Sequence, residues 1–320
     1  MKRNIKILAL TALSSLMITS CSEEFLQVDP SGLNVETNYY RNESEAFAGL
    51  VGVYDMVRKN SGGFENMITM FNAGSDDQFA GGGSSSDGAG IQSFSNYTIN
   101  TNTVPRSFWS DYYRGIFRAN KMLEKLPGIP MDEAVKARFT AECKALRAYY
   151  YYNLLDAFGN VPIVTNFEDT SLPSNSTRKQ VYDFVEKELT DAIPYLSSNV
   201  VYSKLTKNVA YSILARLYLN SQAFIGTPRW QDCIDMCQKI SGYTLTPDFF
   251  TNFATENEKS PEIIFAIPYD PAMASLPGTN GFQYHARYDV LRSQTKRYSL
   301  PFTPSAPQST LPEFYAYFND

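Results

Sequence analysis

The side chains that could do chemistry are few and scattered. Asp76 and Asp77 are adjacent carboxylates in the stretch "AGSDDQFAGGGSSSDGAG", His285 is the only histidine, and four cysteines stand at positions 21, 143, 233 and 237. Glycoside hydrolysis needs two carboxylates at a set separation across a scissile bond, which neighbouring residues do not provide by themselves. Adjacent carboxylates more often cap a turn, coordinate calcium or contact a ligand. No G-x-S-x-G elbow, G-x-x-x-x-G-K-[ST] loop or H-E-x-x-H helix occurs, and any Ser-His-Asp chemistry would have to pass through His285. Cys233 and Cys237 are spaced i,i+4, but a zinc site wants about four ligands and the remaining donors are too few. They are expected to be small buried residues at a helix contact. No catalytic residue, metal site or cofactor is expected, with calcium left open, and the chain is not expected to be an enzyme.

Binding is the better-supported chemistry. Sugar rings present apolar faces edged by hydroxyls, so a sugar site wants exposed aromatic faces beside hydrogen-bonding groups. Two stretches offer both: Asp76, Asp77, Gln78, Phe94, Asn96 and Tyr97, and then Tyr284, Arg287, Tyr288 and Arg292. Each of these aromatics has a competing role in pinning its loop to the scaffold.

The N-terminus carries a different chemistry. Lys2, Arg3 and Lys6 precede a short apolar run, Ile7 to Ile18, and then Ile18-Thr19-Ser20-Cys21 resembles a bacterial lipobox. Residues 1–20 are therefore expected to be a signal peptide. Cys21 is the expected lipidation site, and 21–42 a tether holding the protein on a membrane rather than in it. Loss of 1–20 removes three of the 28 basic residues and none of the 33 acidic ones, leaving a net charge of −8. Nucleic-acid binding relies on basic groups against phosphate, so that function is excluded.

The elements that must position these residues are mostly helices. Apolar residues recur at three- and four-residue steps over Glu43–Lys59, Ser107–Leu126, Asp132–Phe158, a helix opened by Thr177, Thr206–Asn220 and Trp230–Ile240. Pro127-Gly128 and then Gly159 with Pro162 punctuate two of them, and Thr177 with Gln180 forms a capping-box pattern. Between Ser61 and Arg106 the period is lost, which predicts a long loop with a short strand near Phe94–Ile99. "EIIFAIPYD" reads as a strand, and "LPEFYAYFND" as helix-like. Helix after helix predicts a mainly α fold, an α-solenoid, with Leu214, Ala215, Tyr218 and Cys233 resembling a degenerate tetratricopeptide unit. Four consecutive tyrosines, Tyr149 to Tyr152, point in every direction on a helix and cannot build a one-sided platform, so they are expected to pack. Trp109 and Trp230 lie at helical packing positions.

In order along the chain, "CSEEFLQVDPSG", "SEAFAGLVGVYDMVR", "FWSDYYRGIFRANKMLEKLP", "AECKALRAYYYYNLLDAFGNVPIV", "TRKQVYDFVEKELTDAIPYL" and "LTKNVAYSILARLYLN" resemble the SusD/RagB family of outer-membrane nutrient-binding lipoproteins. The resemblance implies a tetratricopeptide-like helical domain over 43–242, with the loop insertion at 61–106. Residues 243–320 would begin a loop-rich ligand-binding subdomain that is incomplete here, since family members generally run longer. It also implies capture of oligosaccharides, or in some branches peptides, for a SusC-like TonB-dependent transporter. Ser22-Glu23-Glu24 is similar to the acidic stretch that sends such lipoproteins to the cell surface. Starch-binding members use tryptophan-rich arcs, which this chain does not offer, so starch is not expected and the glycan class stays open.

Overall fold

In the computed structural model the described residues are 39–61, 71–76, 78–80, 89–169, 171–254, 257–268 and 308–317. Cys21, Asp77, Tyr284, Arg287, Tyr288 and Arg292 lie outside them. The chain divides into two compact units, Met1–Arg41 and Asn42–Asp320. In the first, the rings of Tyr39 and Tyr40 meet edge to face at 4.8 Å.

Over its described residues the second unit is built mainly of helices. They are α1 (Glu43–Ser61), α2 (Ala89–Ser95), α3 (Arg106–Lys125), α4 (Glu133–Phe158), α5 (Arg178–Ala192), α6 (Lys207–Leu219), α7 (Ser221–Ile225), α8 (Trp230–Lys239) and α9 (Pro312–Tyr315). Packing is sequential: α1 lies on α3, α3 on α4, α4 on α5, and α6 on α8. That is the stacked arrangement the periodicity predicts.

Local signals set the helix ends. The Asp132 carboxylate accepts from the backbone N–H groups of Ala134 and Val135 at 2.9 and 3.0 Å, satisfying two of the donors a helix start leaves open. Thr177 and Gln180 close a reciprocal capping box at the start of α5. Gly159 ends α4 with φ of 73°, a conformation that side chains with a Cβ rarely adopt.

α4 is the centre of the unit and is buried on most of its circumference. This decides the four tyrosines. Tyr150 and Tyr151 are fully buried and Tyr152 nearly so. The Tyr150 hydroxyl donates to the Val53 carbonyl of α1 at 2.6 Å, while the Tyr151 hydroxyl accepts from Val164 N–H at 2.7 Å. Large rings supply the apolar area, and each of these two hydroxyls has its partner, as burial requires.

Three expectations are corrected. The strand near Phe94–Ile99 is instead helix α2 followed by a turn at Asn96-Tyr97. Ile91 and Phe94, three apart, bury on one side, and the Ser93 hydroxyl donates to the Gly90 carbonyl. "EIIFAIPYD" forms no strand over its described residues 262–268. The strand pairing joins other segments: β1 (Gln78–Ala80) runs antiparallel to β2 (Gln308–Thr310), with Phe79 opposite Ser309. Third, Trp230 is largely exposed, Cys237 is exposed and Cys233 is only half-buried, because nothing among the described residues covers the outer face of α8. Trp109 does pack, its ring 5.3 Å from Phe158 and 4.9 Å from Tyr113.

Candidate functional site

The loop segment around Asp76–Tyr97 and the chain near Tyr315 meet at the two-stranded sheet, against which α2 also packs. Phe94 does not offer a face to solvent. It is only 6% exposed and meets Phe71 edge to face at 5.6 Å, so it pins the segment. The Ser95 hydroxyl donates to the Ala73 carbonyl at 2.7 Å, tying the two halves together.

Tyr97 is held differently. Its backbone is left-handed, with φ of 54°, and its hydroxyl donates to the Gly74 carbonyl at 2.7 Å. The ring is nevertheless 74% exposed. An aromatic fixed at its tip and open on its side is pre-ordered for stacking, at little further entropic cost. Asn96, its neighbour in sequence, and Asp76 are both exposed. Gln78 stands in β1, paired with Thr310.

Two more rings belong to this region. Tyr315 and Tyr317, just beyond β2, are 63% and 81% exposed. The sequence shows "LPEFYAYFND" only as helix-like. Its aromatic density was the available signal, but the pairing of β2 with β1 has no local signature.

Elsewhere, a concavity of about 300 Å³ lies between α1 and the 203–204 and 265–268 segments, lined by Phe47, Val51, Tyr54, Arg58, Glu142 and Phe265 among others. Its carboxylates are committed. The Tyr54 hydroxyl donates to Glu142 Oε2 at 2.6 Å and accepts from Leu205 N–H at 2.9 Å, and Asp55 pairs with Arg58 at 2.6 Å. These bonds hold α1 to α4 and to the approach of α6. They suit a structural joint better than proton transfer.

Burial pushes the Glu142 carboxyl above the usual carboxylate range, opposed by the Tyr54 hydrogen bond and the charges of Lys204 and Arg138. The folded protein thus holds this proton more readily than the unfolded chain, in which Glu titrates near about 4.3. The resulting stability is complete below that pH and is lost as pH rises through the folded value. Glu142→Gln keeps an acceptor for Tyr54 and removes the titration. Melting temperatures should show the variant gaining on the wild type between pH 4 and pH 7; a constant difference across that range would contradict the assignment.

Among the described residues no cluster of three or more His, Cys, Asp or Glu is placed to hold a metal, and no helix is long and apolar enough to cross a membrane.

Fold and site together define a class: a stacked-helix scaffold carrying a loop region edged with exposed tyrosines. The chain belongs to the SusD-like family, whose model, described as starch-binding and associating with the outer membrane, matches residues 28–219. SusD-like protein P38 of Formosa agariphila is 27% identical over 290 residues, covering 84% of this chain and 54% of that protein. The structure of a laminarin-binding SusD-like protein superposes with a TM-score of 0.75 at 37% identity, over 87% of this chain and 64% of the other. Surface glycan-binding protein A of Bacteroides thetaiotaomicron, solved with laminarihexaose, shares the fold with a TM-score of 0.70 at 20% identity, over 87% of this chain and 61% of that one. This chain spans about half the length of the curated relatives it matches.

Proposed function

We propose that this protein captures soluble glycan at the cell surface and passes it to a SusC-like TonB-dependent transporter, without cleaving it. The observation that carries this reading is the 37% identity to a laminarin-binding protein over 87% of the chain. The exposed rings of Tyr97, Tyr315 and Tyr317 support it, since flat apolar faces rimmed by hydrogen-bonding groups are what a sugar ring requires. The paired and hydrogen-bonded carboxylates of the 300 Å³ concavity support binding over hydrolysis. Laminarin is the first glycan to try.

A native gel cast with each of a panel of polysaccharides tests this, with product analysis of each mixture. Retardation in laminarin without new oligosaccharides is expected. Release of shorter products would make the protein a hydrolase. Retardation by none of the glycans, with binding to peptides instead, would move it to peptide capture.

Cys21, lipidated, is the proposed anchor. Cys21→Ala should leave the far-ultraviolet spectrum unchanged and move the protein out of the membrane fraction; its retention there would sink the lipoprotein assignment.

A further inference from the structure

Cys233 and Cys237 are the pair that the function does not absorb. They stand one turn apart on α8, half-buried and exposed respectively. Cys143, by contrast, is fully buried in α4. The helix that presents the pair is firmly held. Arg229, just before α8, bonds Glu186 of α5 at 2.7 Å and Asp232 at 2.8 Å, and its guanidinium lies 4.2 Å from the centre of the Tyr218 ring. Near the other end Lys239 lies over the Tyr211 ring.

A disulfide does not suit this pair. Residues i and i+4 of a helix hold their Cβ atoms about 5–6 Å apart, whereas a disulfide needs about 3.8 Å. Oxidation within the pair would have to unwind the last turn of α8. A bridging ion has no such requirement, because two metal–sulfur bonds of about 2.3 Å span sulfur atoms up to about 4.6 Å apart. Hard cations are not favoured, because the neighbouring carboxylates are engaged: Asp232 with Arg229, and Asp235 with the Gln231 amide at 2.8 Å. Zinc wants four ligands. A soft cation content with two thiolates fits better, and the half-buried Met236, three residues after Cys233 and so its neighbour on the helix surface, offers a thioether.

We propose that Cys233 and Cys237 form a two-thiolate site for copper(I), with the Met236 thioether available as a third donor. Binding forms two copper–sulfur bonds and releases the two thiol protons; no electron is transferred. The site is independent of glycan capture and lies on another part of the scaffold.

The test uses the whole chain carrying Cys21→Ala, reduced and kept under nitrogen, with copper(I) offered as its coloured complex with a bidentate chelator. The expected result is transfer of one copper per chain. Cys233→Ser and Cys237→Ser should each weaken the transfer by about 100-fold or more, with Cys143→Ser unchanged and the helical circular dichroism of all variants preserved. Copper that stays with the chelator overturns the proposal. So does wild-type affinity in the Cys233→Ser/Cys237→Ser double variant, or loss of binding in Cys143→Ser alone.

Discussion

Arg147→Ala is expected to cost about 3–5 kcal/mol of stability, the usual price of leaving a buried charge without its partner. Arg147 and Glu188 are both buried, and the guanidinium Nε and Nη2 donate to Glu188 Oε2 at 2.7 and 2.6 Å. Its Nη1 donates to Asn120 Oδ1 at 2.7 Å, and the Asn120 amide in turn donates to the Val164 carbonyl at 2.9 Å. One side chain of α4 therefore joins α3, α5 and the segment after α4. Truncation strands a carboxylate and an amide at once. Burial already holds the Glu188 carboxyl above the usual range despite the ion pair, so in the variant it would be driven further toward protonation. Urea unfolding should show the midpoint falling steeply for Arg147→Ala, while the apolar pair Arg147→Met/Glu188→Leu recovers most of the loss. A loss below about 1 kcal/mol for the single variant would mean that the network is not formed as described.

Gly115→Ala should destabilise by about 2 kcal/mol, against the sign of helix propensity. In an open helix the change would gain up to about 1 kcal/mol. Here a Cβ on Gly115 would sit 2.5 Å from Cε2 of Tyr150 and 2.8 Å from Cδ2 and Cζ. The ring has no room to retreat: it is fully buried and its hydroxyl is fixed to Val53. Overpacking of that kind costs about 1–3 kcal/mol or more. Combining Gly115→Ala with Tyr150→Leu should cost less than the sum of the two, because each relieves the other. Additive losses, read from the same urea curves, would place the two residues out of contact.

Both networks rest on features that the sequence shows only in part. The helices were legible because apolar spacing, Asp132, Thr177 and Gly159 act within a turn or two of chain, and the packing of Tyr150, Tyr151 and Tyr152 follows from consecutive residues pointing in different directions on a helix buried on most sides. The partner of each tyrosine hydroxyl was not legible, since Val53 is 97 residues from Tyr150. The candidate site was less legible still. Phe94 turned inward because α2 formed where a strand was expected, and Ile91 with Phe94 then buried together. Tyr315 and Tyr317 joined the site through a strand pairing that spans most of the chain. Cys233 and Cys237 were expected inside because helical periodicity marks a face without saying whether anything covers it.

The most direct measurement is a calorimetric titration of laminarin into the whole chain carrying Cys21→Ala, repeated with Tyr97→Ala, Tyr315→Ala and Tyr317→Ala. Glycan capture on exposed tyrosines predicts saturable heat for the parent chain and binding weakened by about tenfold for at least Tyr97→Ala, as loss of a stacked ring worth about 1.4 kcal/mol would give. Saturable binding of equal strength in all three tyrosine variants would contradict the site, and no heat with laminarin, nor with any other glycan of the panel titrated in the same way, would contradict the function.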